Sequence, residues 1–311
     1  MPVHLVAAPD LRRFHRSLHP EVTMIPSLAA HLRRSRPGFV HSFHYCDAVA
    51  ADLAGRLGLL TIQGMPLFRP GGGGRLRRRL LDRALDRAPM VTVPSQAAAD
   101  HLREGFGREA VVLPNALHTA PFALDVPRRP NVIFCAATGE DERKRVGLLV
   151  DAHGRLLRDG RELELWLGGE VNAQAQERLR GRLPDAQHAT VRFLGNLSGS
   201  GLARAYASAA VTCLPSLYEA FGVVLVESLA AGTPVAGCAH AAIPEIIDEE
   251  VGGLFPPESG PEAVDLLASC LADLLDRASA GQLVEACRAR AQRYDWSVLG
   301  PRYLEVYAAL A

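Results

Sequence analysis

Two glutamates separated by seven residues are the first candidates for chemistry in this sequence. Glu219 and Glu227 lie in VTCLPSLYEAFGVVLVESLAAGTPVAG, residues 211–237, where a strand and a loop precede an apolar helix predicted to start near Phe221 and Gly222. Free backbone N–H groups at a helix start attract anions. A carboxylate beside them can accept charge-assisted hydrogen bonds from sugar hydroxyls. Because Glu227 falls within a mostly apolar helix, it is not expected to be an ordinary surface charge.

Lys144 is unusual because it is the only lysine in the chain. The sequence has 34 Lys and Arg residues, and all the others are Arg. An ammonium group is a compact charge that a planar guanidinium does not reproduce, so Lys144 could be required by a particular anion. The residue type alone equally allows a lysine that is present by chance at a solvated helix start and has no special role.

Composition narrows the class of protein. The 311 residues carry no net charge, because 34 Lys and Arg balance 34 Asp and Glu, and this argues against a dedicated nucleic-acid-binding protein.

Apolar stretches are interrupted well short of the ~18 residues that a membrane-spanning helix needs. The N-terminus does not resemble a signal peptide, so a cytoplasmic location is expected. The six cysteines never form CxxC, and neither a disulfide framework nor a zinc site is expected.

Short apolar strands alternate with amphipathic helices along most of the chain. Runs such as LLTIQG, PMVTVPS, NVIFCAA and LELWLGG are typical of a parallel sheet covered on both faces. The Pro-rich segment 126–130 interrupts the alternation and is predicted to be a linker. The pattern predicts an α/β fold of two doubly wound, Rossmann-like domains, residues 1–127 and 128–295, that face a central cleft. The helical segment 296–311 is expected to be able to pack back on the first domain.

The first domain is expected to be short. Only residues 1–36 precede the strand-like run PGFVHSF, which leaves little room for opening strands.

The passage that contains both glutamates, PSLYEAFGVVLVESLAAGTPV, resembles the signature of the retaining glycosyltransferases of family 4, which have the GT-B fold. Other segments resemble that family in the same order, namely SFHYCDAVAADLAGRLGLLTIQG, VPSQAAADHLREGFG, VLPNALHTAPF, RKRVGLLVDAHGRL and IPEIIDEEVGGLFPP. Together these segments cover most of the chain at the family's spacing.

The resemblance implies a role for each residue of the motif. Glu227 would bind the ribose hydroxyls of a nucleotide, and Glu219 would hold the donor sugar. Lys144 would neutralise the donor diphosphate, which favours the functional interpretation of this lysine. Further contacts with the nucleotide sugar would come from Phe221, Gly222 and Val223 at the helix start and from Gly195, Asn196 and Leu197 beside the base.

One donor-side position differs from the family's pattern. Thr138 stands where the family usually has an arginine, in ATGEDERKR. Arg143 or Arg145, close by in the sequence, is expected to be able to compensate.

Three positions are expected on the acceptor side. Gln63, followed by Gly64 in TIQG, replaces a histidine of the family's first domain. His44, in HSFH, is a candidate for acceptor contact, although structural roles are favoured for both His41 and His44 over metal binding.

The resemblance also implies a mechanism, which is front-face transfer with retention at the anomeric carbon. Catalysis then depends on positioning and on stabilising the leaving diphosphate, whose oxygen can accept the acceptor's proton. No DxD occurs in the sequence, so neither a metal nor a cofactor is expected beyond the nucleotide-diphosphate sugar. The alternatives are a non-catalytic sugar-nucleotide-binding module or partner subunit with a degenerate N-domain, and another GT-B chemistry such as an epimerase or a phosphorylase.

The sequence leaves the hydroxyl acceptor open among natural products, lipids, polysaccharides and small sugars. The neutral charge mildly favours a soluble acceptor. Four arginines follow the glycine run 71–74 and keep a peripheral membrane contact open; they are Arg75, Arg77, Arg78 and Arg79. The simpler interpretation of the glycine run is a flexible surface loop.

Overall fold

The computed structural model describes residues 20–65, 72–136, 142–281 and 283–310. The chain divides by its contacts into two compact units, one formed by residues 1–114 and 302–311, the other by residues 115–301. Among the residues that the structure describes, each unit contains one parallel sheet with helices packed on it. The predicted class, α/β with two parallel-sheet domains, is therefore confirmed.

The described part of the first unit holds a four-stranded parallel sheet in the order β1-β2-β3-β4. Its strands are β1 (Val40–Ser42), β2 (Leu57–Thr61), β3 (Met90–Val93) and β4 (Val111–Val112). Its helices are α1 (Pro20–Thr23), α2 (Ile25–Ser35), α3 (Tyr45–Leu53), α4 (Gly72–Arg87) and α5 (Gln96–Phe106). The region before PGFVHSF thus supplies helix α2, where opening strands were considered, while residues 1–19 lie outside the described part.

Helix α5 shows how the sequence sets these elements. Ser95 lies just before it in extended backbone, and its hydroxyl accepts a hydrogen bond from the N–H of Ala98 at 3.1 Å. Gly107 ends the helix with φ of 62°, a conformation that favours glycine. Between these caps Ala98, Ala99 and Leu102 are buried against the sheet.

The described part of the second unit holds a six-stranded parallel sheet in the order β10-β9-β8-β5-β6-β7. Its strands are β5 (Arg129–Ala136), β6 (Glu164–Gly168), β7 (Val191–Gly195), β8 (Ala209–Leu214), β9 (Val235–Cys238) and β10 (Gly252–Phe255). Its helices are α6 (Val146–Arg158), α7 (Ala173–Arg180), α8 (Gly199–Ser208), α9 (Val223–Ala230), α10 (Pro261–Ser279) and α11 (Val284–Gln292). The last helix, α12 (Trp296–Ala308), begins in this unit and ends in the first.

Strands β5 and β8 lie at the centre of the second sheet, and their side chains form its core. All six residues of β8 are buried, as are Val132 to Cys135 of β5. Parallel strands that are covered on both faces require such continuous apolar runs.

The predicted linker 126–130 is partly wrong, because β5 already begins at Arg129. Arg129 pairs with Ala209 of β8, although the first three residues of β5 are exposed. The extension consists of Arg129, Pro130 and Asn131, so a hydrophobic pattern does not show that it belongs to the strand. The division between the units falls earlier in the chain, at Pro114.

The end of α12 contributes polar contacts to the first unit. The hydroxyl of Tyr307 lies 3.0 Å from Nδ1 of His41, whose Nε2 lies 2.7 Å from Oγ1 of Thr61. The hydroxyl of Tyr303 donates to the carbonyl of Pro114 at 3.0 Å. Burial lowers the pKa of His41 to about 4, so this ring is neutral at physiological pH. Its two contacts fit the structural role expected for it from the sequence.

Asp295 ties two segments of the second unit together. Its Oδ2 accepts hydrogen bonds from the backbone N–H and the hydroxyl of Thr119 at 2.9 and 2.8 Å. Its Oδ1 accepts two more, from the N–H and hydroxyl of Ser297 at 2.9 and 2.7 Å. Leu117 and Asp295 also form a parallel bridge.

Within the described ranges, no helix has both the length and the apolar character needed to cross a membrane.

Candidate active site

Lys144 and Glu219 form an ion pair at the carboxyl edge of the second sheet. Lys144 follows β5 and Glu219 follows β8, two neighbouring parallel strands, so both loops emerge at the same edge. Nζ of Lys144 donates to Oε1 of Glu219 at 2.5 Å. Their side chains are 30% and 14% exposed, so the pair is largely shielded but still open to a ligand. Two predicted site residues that are 75 positions apart in the chain are therefore in direct contact.

A short 3-10 turn before α6 places Lys144. Residues 142–144 form this turn, and α6 starts only at Val146. Arg145 between them adopts a left-handed conformation with φ of 49°. A positive φ at an arginine leaves no trace in hydrophobic periodicity, so the sequence could not show this separation of the turn from α6.

The loops that carry Lys144 and Glu219 are fastened to each other. The N–H of Leu217 donates to the carbonyl of Arg143 at 3.0 Å. Nε of Arg145 donates to the carbonyl of Pro215 at 3.0 Å, and its Nη1 to the carbonyl of Glu258 at 3.1 Å. Two nitrogens of the Arg145 guanidinium are thus engaged with backbone carbonyls, while its Nη2 is buried without a partner among the described residues. Its compensation for Thr138, which lies outside the described residues, stays a prediction.

Helix α9 begins at a glycine with a special conformation. Gly222 has φ of 98° and lies directly before Val223, the first residue of the helix. Among the described residues, the N–H groups of Ala220, Phe221 and Gly222 have no hydrogen-bond acceptor. These donors and the helix dipole together form a site suited to an anion.

Glu227 lies in the second turn of α9 and is bonded to a residue that sequence reasoning missed. The hydroxyl of Tyr206, in α8, donates to Oε2 of Glu227 at 2.9 Å. Burial raises the pKa of the Glu227 carboxyl, and the hydrogen bond from Tyr206 opposes that rise. Burial and the neighbouring Glu227 hold the pKa of Tyr206 well above its usual value, so its hydroxyl stays a donor.

The remaining donor-side residues lie at the same edge of the sheet or outside the described part. Gly195, with φ of 69°, ends β7, and its carbonyl accepts from the N–H of Gly169 at 2.8 Å. Gly195 and Asn196 are exposed, and Leu197 is half-buried. Because β6 separates β7 from β5, these three residues lie two strands away from Lys144. Thr138 lies outside the described residues, whereas Arg143 is exposed in the 3-10 turn.

The acceptor-side candidates all belong to the first unit. His44 follows β1 and caps α3, where its Nδ1 accepts from the N–H of Cys46 at 3.3 Å. Gln63 and Gly64 follow β2 and are exposed. Since β1 and β2 are parallel neighbours, the three residues lie at one edge of the first sheet.

In the arginine cluster of α4, Arg78 is held by neighbouring groups. Arg78 donates to Oδ1 of Asp82 at 2.9 Å and to the carbonyl of Gly105 at 2.8 Å, and its guanidinium covers the ring of Phe106 at 4.0 Å. Arg75 and Arg79 are exposed on the same helix.

Two family models match this chain in succession. Residues 2–120 match "Glycosyltransferase Family 4", and residues 129–276 match "Glycosyl transferases group 1". The second match contains Lys144, Glu219 and Glu227.

A curated relative is the phosphatidyl-myo-inositol mannosyltransferase of Mycobacterium tuberculosis, with 34% identity over 220 residues. The alignment covers 67% of this chain and 56% of the relative, so the chain spans little more than half of the relative's length.

Solved structures resemble the chain over nearly its whole length. Sucrose-phosphate synthase from Thermosynechococcus elongatus matches with a TM-score of 0.78 and 22% identity, over 93% of this chain and 79% of that one. Anabaena HepE in complex with UDP and glucose matches with a TM-score of 0.75 and 17% identity, over 93% and 82%. At these identities the likeness shows the fold, which is that of the GT-B glycosyltransferases. Because both family models match in order along the chain, the protein belongs to the glycosyltransferases of family 4, whose second domain is described as glycosyl transferases group 1.

Proposed function

We propose that this protein is a retaining glycosyltransferase that moves a sugar from a nucleotide-diphosphate sugar to a hydroxyl acceptor, without a metal. One observation carries the proposal. The Lys144–Glu219 pair lies at the sheet edge beside the loop that leads into α9. The N–H groups of Ala220 to Gly222 in this loop have no acceptor among the described residues, and α9 itself carries Glu227. A cation, free donors and two carboxylates are the groups that a diphosphate and a set of sugar hydroxyls require.

Each group has a proposed task. Lys144 and the N–H groups of Ala220 to Gly222 neutralise the diphosphate. Glu219 accepts hydrogen bonds from hydroxyls of the donor sugar, and Glu227 from the ribose. The backbone at Phe221, Gly222 and Val223 contacts the donor sugar and its phosphate. Gly195, Asn196 and Leu197 face the base. Arg143, which precedes Lys144 in the same 3-10 turn and is exposed, assists it.

The reaction we propose is a front-face substitution at the anomeric carbon. The bond from that carbon to the diphosphate oxygen breaks, and a bond to the acceptor oxygen forms on the same face. The proton of the acceptor hydroxyl passes to the departing diphosphate. The protein contributes by stabilising charge on the leaving group, which is where Lys144 and the start of α9 would act.

Similar proteins support the substrate class. HepE of Anabaena has been solved with UDP and glucose, and the mycobacterial relative is named for mannosyl transfer to phosphatidyl-myo-inositol. Both descriptions fit a nucleotide-sugar donor and a hydroxyl acceptor for this chain. His44, Gln63 and Gly64 stay the predicted acceptor side, and a cytoplasmic location stays a prediction.

The first experiment measures the binding of nucleoside diphosphates and their sugars by calorimetry. Wild type should bind one nucleotide in the micromolar range, and Glu227→Ala and Lys144→Ala should each weaken that binding about tenfold or more, because each removes a charge-assisted contact. Glu177→Ala is the matched control, since Glu177 is an exposed carboxylate on α7, away from the sheet edge. It should bind like wild type.

Other outcomes point to other functions. If the folded protein binds none of the nucleotides, the donor site is wrongly assigned. Nucleotide-sugar binding without transfer to any acceptor favours the non-catalytic module or partner subunit. Conversion of the donor without an added hydroxyl acceptor favours an epimerase, and phosphate-dependent turnover favours a phosphorylase.

A further inference from the structure

We propose that Tyr206 is a positioning residue that orients the Glu227 carboxylate for the ribose of the bound nucleotide. The inference rests on the proposed nucleotide site and adds to it a residue from another helix. The hydrogen bond from the hydroxyl of Tyr206 to Oε2 of Glu227, 2.9 Å long, is the observation that carries it.

The two oxygens of Glu227 have different surroundings. Oε2 accepts from Tyr206, whereas Oε1 has no donor among the described residues and is not enclosed. A carboxylate held by one oxygen cannot rotate freely, so its other oxygen keeps a fixed direction. An acceptor fixed in this way binds a pair of ribose hydroxyls at a smaller entropic cost than a mobile one.

Tyr206 is itself firmly held. Its side chain is fully buried, and its ring contacts Phe134 of β5 edge-on at 5.1 Å and Phe122 at 6.1 Å between ring centroids. Its carbonyl accepts a hydrogen bond at 2.8 Å from the hydroxyl of Thr233, a residue that lies just beyond the end of α9. Both ends of the contact with Glu227 are therefore fixed by α8, α9 and the central sheet.

The contact has a second effect, on the charge of Glu227. Burial raises the pKa of this carboxyl and thus favours its neutral form, which is a poor acceptor. The hydroxyl of Tyr206 donates to the ionised form and lowers the pKa. Without that hydroxyl, the pKa of Glu227 should rise further, and nucleotide binding should be lost at a higher pH as the solution is acidified.

Of the described ionisable groups on the elements packed around α9, Tyr206 is the one that contacts the Glu227 carboxyl. The 3-10 turn 120–122 has none, and Arg204 of α8 is exposed. Burial raises the pKa of the thiols of Cys213 in β8 and Cys238 in β9, which keeps them uncharged. On α11, Arg288 pairs with Glu285 and packs beside Gly232 at the far end of α9, while Arg290 bonds to Ile246 and Asp248.

The test is Tyr206→Phe, which keeps the ring and removes the hydroxyl. Binding of the nucleoside diphosphate that wild type prefers is measured from about pH 5 to about pH 8. We expect affinity at neutral pH to fall on the order of tenfold. We also expect the acidic limb of the binding profile to move upward by about one pH unit.

Two controls separate positioning from packing. Tyr303→Phe removes the hydroxyl of a half-buried tyrosine that donates to Pro114 in the first unit, and it should leave the binding profile unchanged. In a Glu227→Gln background, Tyr206→Phe should cost little further affinity, because the ionised partner is already gone.

The outcomes are distinct. If wild type binds no nucleotide, the proposed function fails. If wild type binds and the profile of Tyr206→Phe overlays that of wild type, the role of Tyr206 is refuted although the site stands. If Tyr206→Phe lowers the melting temperature and weakens binding equally at every pH, Tyr206 serves packing alone, which also refutes the inference.

Discussion

At the scale of single residues, the ion pair between Lys144 and Glu219 occupies the position that we assign to the donor. In the free protein the ammonium group is already engaged by a carboxylate at 2.5 Å. A diphosphate must therefore compete with Glu219 for Lys144. In the proposed reaction the same glutamate holds the donor sugar, so its removal should have opposite effects on binding and on turnover.

Glu219→Gln should bind the nucleoside diphosphate alone about threefold tighter than wild type, because loss of a partly exposed ion pair releases Lys144. Turnover of the nucleotide sugar should fall about a hundredfold or more, because the sugar loses its carboxylate. Calorimetry and an assay for nucleotide release measure the two effects. Glu258→Gln, at an exposed glutamate near Arg145, is the matched control and should change neither. Weaker diphosphate binding in Glu219→Gln would contradict the competition.

The sequence identified Lys144, Glu219 and Glu227 as candidates but gave no sign that two of them touch. Their types and the spacing of the glutamates pointed to sugar and phosphate chemistry, while the contact depends on two loops that the sheet brings together. Tyr206 was missed because it lies in the Ala-rich run ARAYASAA, where an aromatic residue is most simply read as core. A usable signal exists, since a buried tyrosine normally finds a partner for its hydroxyl.

At the scale of secondary-structure elements, the start of α9 depends on Gly222. Its φ of 98° is strained for any residue with a side chain, and an added Cβ would lie 3.1 Å from Cδ1 of Leu225. We expect Gly222→Ala to destabilise the protein by about 1–2 kcal/mol, which thermal unfolding would detect as a lower melting temperature. Nucleotide binding should weaken as well, because the free N–H groups around Gly222 would shift.

Gly201 offers the matched control. It lies inside α8, has no left-handed backbone, and an added Cβ meets no atom within 4 Å. Gly201→Ala should therefore be neutral or stabilise the protein by up to about 1 kcal/mol. If both variants had the same melting temperature, the conformation of Gly222 would not be the cause of its effect.

Most strands and helices could be read from the sequence because apolar runs and amphipathic segments alternate without long interruptions. The pattern gives no sign where backbone conformation, not side-chain polarity, decides the structure. Arg145 separates a 3-10 turn from α6 through a positive φ, and Arg129 extends a strand with exposed residues. The helix start near Gly222 was predicted within a residue because a glycine before an apolar run is a recognisable boundary.

At the scale of the whole molecule, Asp295 lies close to where the chain passes between its two units. The chain leaves the first unit after Pro114 and returns to it at Arg302. Asp295 holds Thr119, shortly after the first passage, and Ser297, shortly before the second. Hydrogen bonds from the N–H groups of Thr119 and Ser297 hold the pKa of this carboxyl well below its usual range.

A carboxyl with a depressed pKa stabilises the folded state above its unfolded pKa, and that contribution disappears as pH falls through the folded value. Asp295→Asn should therefore melt at a lower temperature than wild type near neutral pH. The difference should shrink as pH falls below about 4, where the ordinary aspartate becomes protonated in the unfolded chain. Asp125→Asn, at an exposed aspartate outside these contacts, serves as the control. A difference that stays constant with pH would show that Asp295 acts through packing instead of charge.

The two-domain architecture was accessible from the sequence, since a second series of strands restarts after the first. The place of division was not, because it depends on which contacts each residue makes. Residues 115–128 read as the end of the first domain, yet Leu117 and Thr119 bond to Tyr294, Asp295 and Trp296. Such pairing across more than 170 positions becomes visible only in three dimensions.

The isolation of Lys144 among arginines has a practical consequence. Its side chain holds the only lysine amine in this sequence, so an amine-selective acylating reagent has one lysine target, and a lysine-specific protease has one place to cut. That place is the junction between a 3-10 turn and the left-handed Arg145. A ligand that covers the ammonium group would slow both reactions. The natural amino-acid sequence thus already contains a single-site reporter for occupancy of the proposed donor site, with no engineered label.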